Sequence, residues 1–112
     1  MSESVDLHGY SPNTVVGLVA TIICQAWEMG TDELTLIHGH ALFRGTPRPF
    51  AKTNTGRLGL TVRSELRNNR ELRQWIYAKI NVSDPGVTTV RLKPNPSPSR
   101  ADFDEFPEKD FG

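Results

Sequence analysis

The 112 residues carry 13 basic and 13 acidic side chains, a formal net charge of zero. That length supports one hydrophobic core and therefore one domain, and no apolar run approaches the roughly 20 residues of a membrane span. A single cysteine, Cys24, rules out an internal disulfide, and the first residues lack the basic start of a secretory signal, so a soluble intracellular protein, most simply cytoplasmic, is expected.

Charge is unevenly divided along the chain. Residues 94–112 hold two basic and five acidic side chains, net −3, which leaves eleven against eight, net +3, on residues 1–93. A mildly basic domain with an acidic tail permits nucleic-acid binding without demanding it.

In chain order, Val5-Asp6-Leu7-His8-Gly9 reads as a short buried strand that stops at a histidine and a glycine. Ser11 is then a natural N-cap and Pro12 suits the first helical position, where its missing N–H costs nothing. Val15, Leu18, Val19, Ile22 and Ala26 form one stripe, widened by Val16, Ile23 and Trp27, which predicts a helix ended by Gly30. Cys24 lies on its apolar side. Leu34-Thr35-Leu36-Ile37-His38-Gly39 repeats the first pattern. Strand, helix and strand with short joins give a right-handed crossover and two parallel strands. Both His-Gly ends then meet at the carboxyl edge of the sheet, where open α/β sheets place ligands. Asp6 and His8 are two apart and project to one face, and His38 joins them at the same edge.

Residues 40–56 have no periodicity and contain Gly45, Pro47, Pro49 and Gly56, which predicts a loop. Arg44, Arg48, Lys52 and Arg57, with Phe43 and Phe50 between them, suit a nucleic-acid strand, charge to phosphate and ring to base. The plainer alternative is a solvated loop pinned to the core by the two phenylalanines. Thr55 is placed to cap a second helix running to about Asn68, with Leu58, Val62 and Leu66 toward the sheet. Arg63, Arg67 and Arg70 form a row on another face, either solvated surface or phosphate contacts. Residues 70–80 fit helical and strand spacing alike on their own. Asp84-Pro85-Gly86 is a turn. Val87, Val90 and Leu92 make a final strand whose Thr88, Thr89 and Arg91 suggest a partly wet face or an edge.

From Pro94 the chain becomes a proline-serine linker. It ends in a stretch, 101–112, that mixes five acidic residues with Phe103, Phe106 and Phe111. We therefore divide the chain into a domain, 1–93, and a flexible tail, 94–112, expected to be disordered by itself. The spaced phenylalanines could dock on a protein partner or fold back over the domain's own basic face as a weak nucleic-acid mimic.

Asp6-Leu7-His8-Gly9 and Ile37-His38-Gly39 together resemble the two signatures of the small MutS-related (Smr) domain family. Gly56-Arg57-Leu58, the spacing Leu58, Val62, Leu66, and the run Gly86-Val87-Thr88-Thr89-Val90-Arg91-Leu92-Lys93 are similar to that family's second helix and last strand. The likeness covers roughly residues 5–93. It implies an α/β fold, a single βαβαββ two-layer sandwich with a mixed four-stranded sheet and two helices, and it reads 72–78 as a strand. It also implies nucleic-acid nicking or endonuclease activity, in some members binding alone. Two features differ: Ala41 stands where a glycine is usual, and the connection from Leu42 to Thr55 is longer.

Cleaving a phosphodiester needs a base for the nucleophile, an acid for the leaving oxygen, and a hold on the phosphoryl charge. Histidine serves both proton roles near neutrality, since its pKa is about 6.5. His8 and His38 are the candidates, with Asp6 orienting His8 as the carboxylate does in a catalytic triad. Gly9 and Gly39 would let backbone amides approach a phosphate beside the Ser11-Pro12 helix start, and Arg44, Arg48, Lys52 or Arg57 would hold the remaining charge. No cofactor is required. A divalent cation such as magnesium could accompany the substrate, and Asp6, His8, His38 and His40 are a conceivable ligand set, though we assign no metal site. For each residue alone the plainer role is structural: Asp6 capping its loop, the histidines packed and hydrogen-bonded. The leading expectation is a nuclease acting on DNA or RNA. The alternatives are a non-catalytic nucleic-acid-binding domain, which Ala41 would favour if its β-carbon obstructs the phosphate, and an interaction adaptor working through the tail. Nothing in the sequence reads a 2′-hydroxyl, so DNA and RNA stand equal.

Overall fold

The computed structural model describes residues 1–39 and 56–110. The elements run β1 (Ser2–Asp6), α1 (Pro12–Glu28), β2 (Glu33–Ile37), α2 (Arg57–Asn68), a 3₁₀ turn (Arg70–Gln74), β3 (Ile76–Asn81) and β4 (Val87–Leu92). The sheet order is β1-β2-β4-β3. β1 and β2 are parallel, with Val5 opposite Leu36 and Asp6 opposite Ile37. β4 is antiparallel to both β2 and β3. This is the mixed four-stranded sheet with two helices expected from the sequence.

Burial alternates along the strands, as a sheet with one covered face requires. Val5, Leu34, Leu36, Val90, Leu92 and Ile76 are buried, while Ser4, Asp6, Glu33 and Arg91 are exposed. The covered face takes Val15, Val19, Ile22 and Ile23 of α1 and Val62 and Leu66 of α2 into one cluster. Truncating a fully enclosed member such as Leu36 to alanine should cost about 2–5 kcal/mol, transfer loss plus cavity.

α1 begins as its residues predict. Ser11 is extended at φ −77°, ψ 158°, and its hydroxyl accepts from Thr14 N at 3.2 Å, with Pro12 following. Gly30 leaves the helix at φ +81°, in the left-handed region that glycine enters without a β-carbon clash. Val16, assigned to the widened stripe, is instead 42 % exposed.

Four expectations shift. β1 spans Ser2–Asp6 rather than Val5–Gly9, so His8 and Gly9 lie in the turn after the strand instead of ending it. The cap of α2 is Gly56, with no side-chain cap bond, rather than Thr55. β3 begins at Ile76 rather than Leu72, because residues 70–74 turn as a 3₁₀ segment that buries Leu72 completely. The spacing of these residues suited helix and strand alike, and the family resemblance alone extended the strand back to Leu72. β4 is not an edge, since it lies between β2 and β3; one face is partly wet, with Thr89 half-buried and Arg91 exposed, but Thr88 is on the other face, in the core, with no exposed surface. The loop assigned to 40–56, with Phe43 and Phe50, lies outside the described residues save Gly56.

Residues 94–110 carry no helix or strand, as a segment without periodicity should, yet specific contacts lay them along α1 from its end back to its start. Asn95 Nδ2 donates to Trp27 O at 2.8 Å, and Ser99 N donates to Glu28 O at 2.9 Å. Arg100 bridges Glu28 and Asp104 at 3.0 and 2.8 Å. Gln25 and Asp104 exchange two bonds, at 3.1 and 3.0 Å. Phe103 and Phe106, their ring centroids 5.6 Å apart, pack against the core cluster.

Candidate nucleic-acid site at the carboxyl edge

β1 stops at Asp6, and the chain turns at once, Tyr10 N donating to Leu7 O at 3.2 Å. Asp6 Oδ1 accepts from His8 N at 2.9 Å. The carboxylate therefore shapes the loop backbone that carries His8, the arrangement of an Asx turn, rather than meeting the imidazole. Gly9 follows at φ +97°, and three residues later α1 begins. Asp6 and His8 are both exposed, and both sit within one turn of the free amides at the α1 start.

His38 lies at the same edge but takes the other face. Leu34, Leu36 and His38 are buried in alternation, so its side chain turns under the sheet while His8 turns out. Its Nε2 lies 2.9 Å from Thr88 Oγ1, and Arg63 Nε donates to that same oxygen at 2.8 Å. Arg63 Nη2 also donates to the carbonyls of Asp84 and Val87, at 2.8 and 3.0 Å. The Gly39 carbonyl, 3.3 Å from His38 Nδ1, can only accept, and the guanidinium can only donate, while the Thr88 hydroxyl, with one hydrogen and two lone pairs, meets both His38 and Arg63. Burial also lowers the Arg63 pKa, with Arg67 adding to the effect and Asp84 opposing it. Arg63 was expected in a surface row with Arg67 and Arg70. It is instead 7 % exposed and ties α2 to β4.

Gly39 is left-handed at φ +78°, but its amide and that of His38 both donate to Gly86 O at 3.0 Å. That amide is committed to closing the sheet edge onto the 84–86 turn instead of facing a ligand. Arg57 is exposed in the first turn of α2. Arg44, Arg48, Lys52, His40 and Ala41 lie outside the described residues. Among the described residues no three His, Cys, Asp or Glu side chains are grouped to hold a metal ion, and no helix is long and apolar enough to cross a membrane. Cys24 is half-buried, and burial, helped by the Glu28 carboxylate, pushes its thiol pKa up, away from the reactive thiolate.

The structure thus brings Asp6, His8 and Gly9 together with the α1 start, and sets His38 with Thr88 and Arg63 beneath them. Sequence reasoning missed two groups. Thr88 and Arg63 gave no signal, since a threonine in a strand and an arginine at helical spacing both read as surface. Lys109 and Asp110 were counted only as tail charge, yet they touch the site. Asp110 Oδ2 accepts from Ser11 N at 2.6 Å, Asp110 Oδ1 accepts from Thr14 Oγ1 at 3.2 Å, and Asp110 N donates to Gly9 O at 3.1 Å. Lys109 Nζ donates to His8 O and lies 3.9 Å from Asp6 Oδ1 and 5.4 Å from the Tyr10 ring centroid.

Comparison with known proteins agrees with this geometry. The sequence model of the Smr domain matches residues 5–93. Curated protein sequences give no match. Among solved structures, the Smr domain of Thermus thermophilus MutS2 superposes with a TM-score of 0.59 at 25 % identity, covering 82 % of this chain and 99 % of that one. Two His-Gly strand ends on one edge of a mixed sheet, inside a match that spans 89 consecutive residues, place the chain in the Smr domain family.

Proposed function

We propose that the domain binds nucleic acid at the carboxyl edge and cleaves or nicks its phosphodiester backbone, with His8 moving the proton. The observation that carries this reading is the placement of an exposed histidine four residues before the start of a 17-residue helix whose first free amide already holds an anionic oxygen. Helix N-termini concentrate unsatisfied N–H groups and positive potential, so they suit phosphate. In this reading a scissile phosphate lies across the α1 start, Ser11 N and Thr14 Oγ1 hold a phosphoryl oxygen, and His8 takes or returns the proton of the attacking or leaving oxygen. Asp6 fixes the backbone from which His8 projects and is a positioning residue. His38 acts the same way, through Thr88 and Arg63, by pinning the edge that faces the substrate. Arg44, Arg48, Lys52 and Arg57 supply charge to flanking phosphates, and any magnesium would arrive with the substrate.

One observation favours the rival reading, a domain that binds without cutting. A division of acid and base between two histidines needs both rings at the substrate, and His38 is 5 % exposed on the opposite face from His8. Labelled single- and double-stranded DNA and RNA, incubated with the full chain with and without chelator, decide between them. Product formed by the wild type and lost in His8→Ala supports cleavage. Salt-dependent binding without product supports the rival, and the absence of both leaves an adaptor acting through its tail.

A further inference from the structure

We propose that residues 107–110 are an intramolecular strap that closes the α1 start, so that nucleic acid binds only to molecules in which the strap has lifted. This rests on the site reading above and adds its regulation. Four contacts converge. The Asp110 carboxylate takes the Ser11 amide and the Thr14 hydroxyl, the donors a phosphate oxygen would use. Lys109 caps the carbonyl of His8 and faces Asp6. The Tyr10 hydroxyl donates to Pro107 O. Gly9 lies so close under the strap that a β-carbon there would fall 2.7 Å from Lys109 Cδ. The Ser11 and Thr14 hydrogens cannot serve two acceptors in one direction, so strap and phosphate exclude each other.

The rest of the tail explains why the strap arrives there. Phe103 and Phe106 anchor on the core, and the Arg100 and Asp104 contacts fix the path along α1. Only three residues separate the Phe106 anchor from Asp110, so the carboxylate is held at high effective concentration. All the strap's polar contacts are exposed or half-exposed, however, and such contacts are individually weak. The outer end can therefore peel while the aromatic anchor stays. A strap closed in nine molecules of ten would lower apparent affinity about tenfold.

The test is binding of a labelled single-stranded 15-mer at low salt to the wild type and four variants: residues 107–112 deleted, Asp110→Ala, Lys109→Ala and Glu108→Ala. The strap predicts tighter binding, several-fold or more, for the first three. Lys109→Ala is the discriminating variant, because losing a cation would weaken binding through bulk charge alone, whereas lifting the strap strengthens it. Glu108→Ala removes the same charge as Asp110→Ala from a side chain without a role in the strap, and should change little. If Lys109→Ala weakens binding, or if Glu108→Ala matches Asp110→Ala, the tail acts through net charge and the strap is wrong. If no variant binds nucleic acid, the site reading fails. The strap is then judged by inorganic phosphate: a shift of the Ser11 amide resonance in the truncated chain but not in the wild type upholds it, and equal responses overturn it.

Discussion

Thr88→Val tests whether the hydroxyl beneath the site does what its partners imply. The substitution keeps the side chain's shape, so it leaves no cavity, and Thr88 has no exposed surface through which water could replace the lost group. Two buried polar groups lose a partner: Arg63 Nε, a charged donor at 2.8 Å, and His38 Nε2 at 2.9 Å. A hydrogen bond to a charged group contributes roughly 1.5–3 kcal/mol and a buried polar group left without its partner costs roughly 1–3 kcal/mol. Arg63 keeps its bonds to Asp84 O and Val87 O, so the lower half of each range applies and the expected loss is about 3 kcal/mol. With about 2.1 cal/mol/K of unfolding entropy per residue over roughly 110 residues, that lowers Tm by about 13 °C. Urea unfolding at pH 7 measures the free energy directly. Thr88→Ser supplies the control, since it keeps the hydroxyl and loses one methyl, at about 1 kcal/mol. A Thr88→Val loss below about 0.5 kcal/mol, or a Thr88→Ser loss equal to it, would refute the hydroxyl's role and leave Thr88 as packing alone.

His8→Ala should lower cleavage by roughly 10²-fold or more while leaving Tm within a degree or two, because the ring is exposed; full activity in that variant would move the chemistry elsewhere. Replacing Arg44, Arg48 and Lys52 together by alanine should flatten the salt dependence of nucleic-acid binding by up to about three phosphate contacts, and an unchanged slope would assign the phosphates to Arg57 and the helix start. The Ser11 amide, more than the other contacts, holds the Asp110 carboxyl below its ordinary value. Its share of stability is therefore complete above the usual carboxylate range, near 3.9, and fades as pH falls through the lowered value. The Tm difference between wild type and Asp110→Ala should be present at pH 7 and vanish in acid; a difference that persists in strong acid would mean the carboxylate is not what Ser11 holds.

The fold was legible because period and punctuation agree. Val5 and Leu7 in alternation, a serine-proline start, a 3.6-residue stripe and a glycine stop specify the order β1-α1-β2 almost without tertiary information. The start of β3 was misplaced because the spacing there suits helix and strand alike, and Leu72 is buried by a turn. At the site, pattern put Asp6, His8 and His38 on one edge correctly, but edge is coarser than face. A strand that ends at residue 37 still passes its alternation to residue 38, and counting inward from Leu36 places His38 in the core. His38 meets Thr88, which Arg63 meets in turn, and the α1 start meets Asp110. Such pairings depend on three-dimensional closure, which neither propensity nor spacing encodes.

The strand order has a consequence for how the protein is made. β4, the last strand to leave the ribosome, is inserted between β2 and β3 instead of being added at a rim. Until Leu92 has emerged, β2 has only β1 as a neighbour, and Leu34 and Leu36 present an apolar strand with one bare row of amides and carbonyls. His38 meanwhile has no Thr88 to turn toward. The nascent chain must therefore carry a sticky, half-built sheet through most of its synthesis and close it in a single late step. Burial of β4 is then the step at which the carboxyl edge acquires its shape, through non-local pairings of the kind that form slowly. A chain interrupted before residue 87 would be primed to pair with its neighbours rather than to fold.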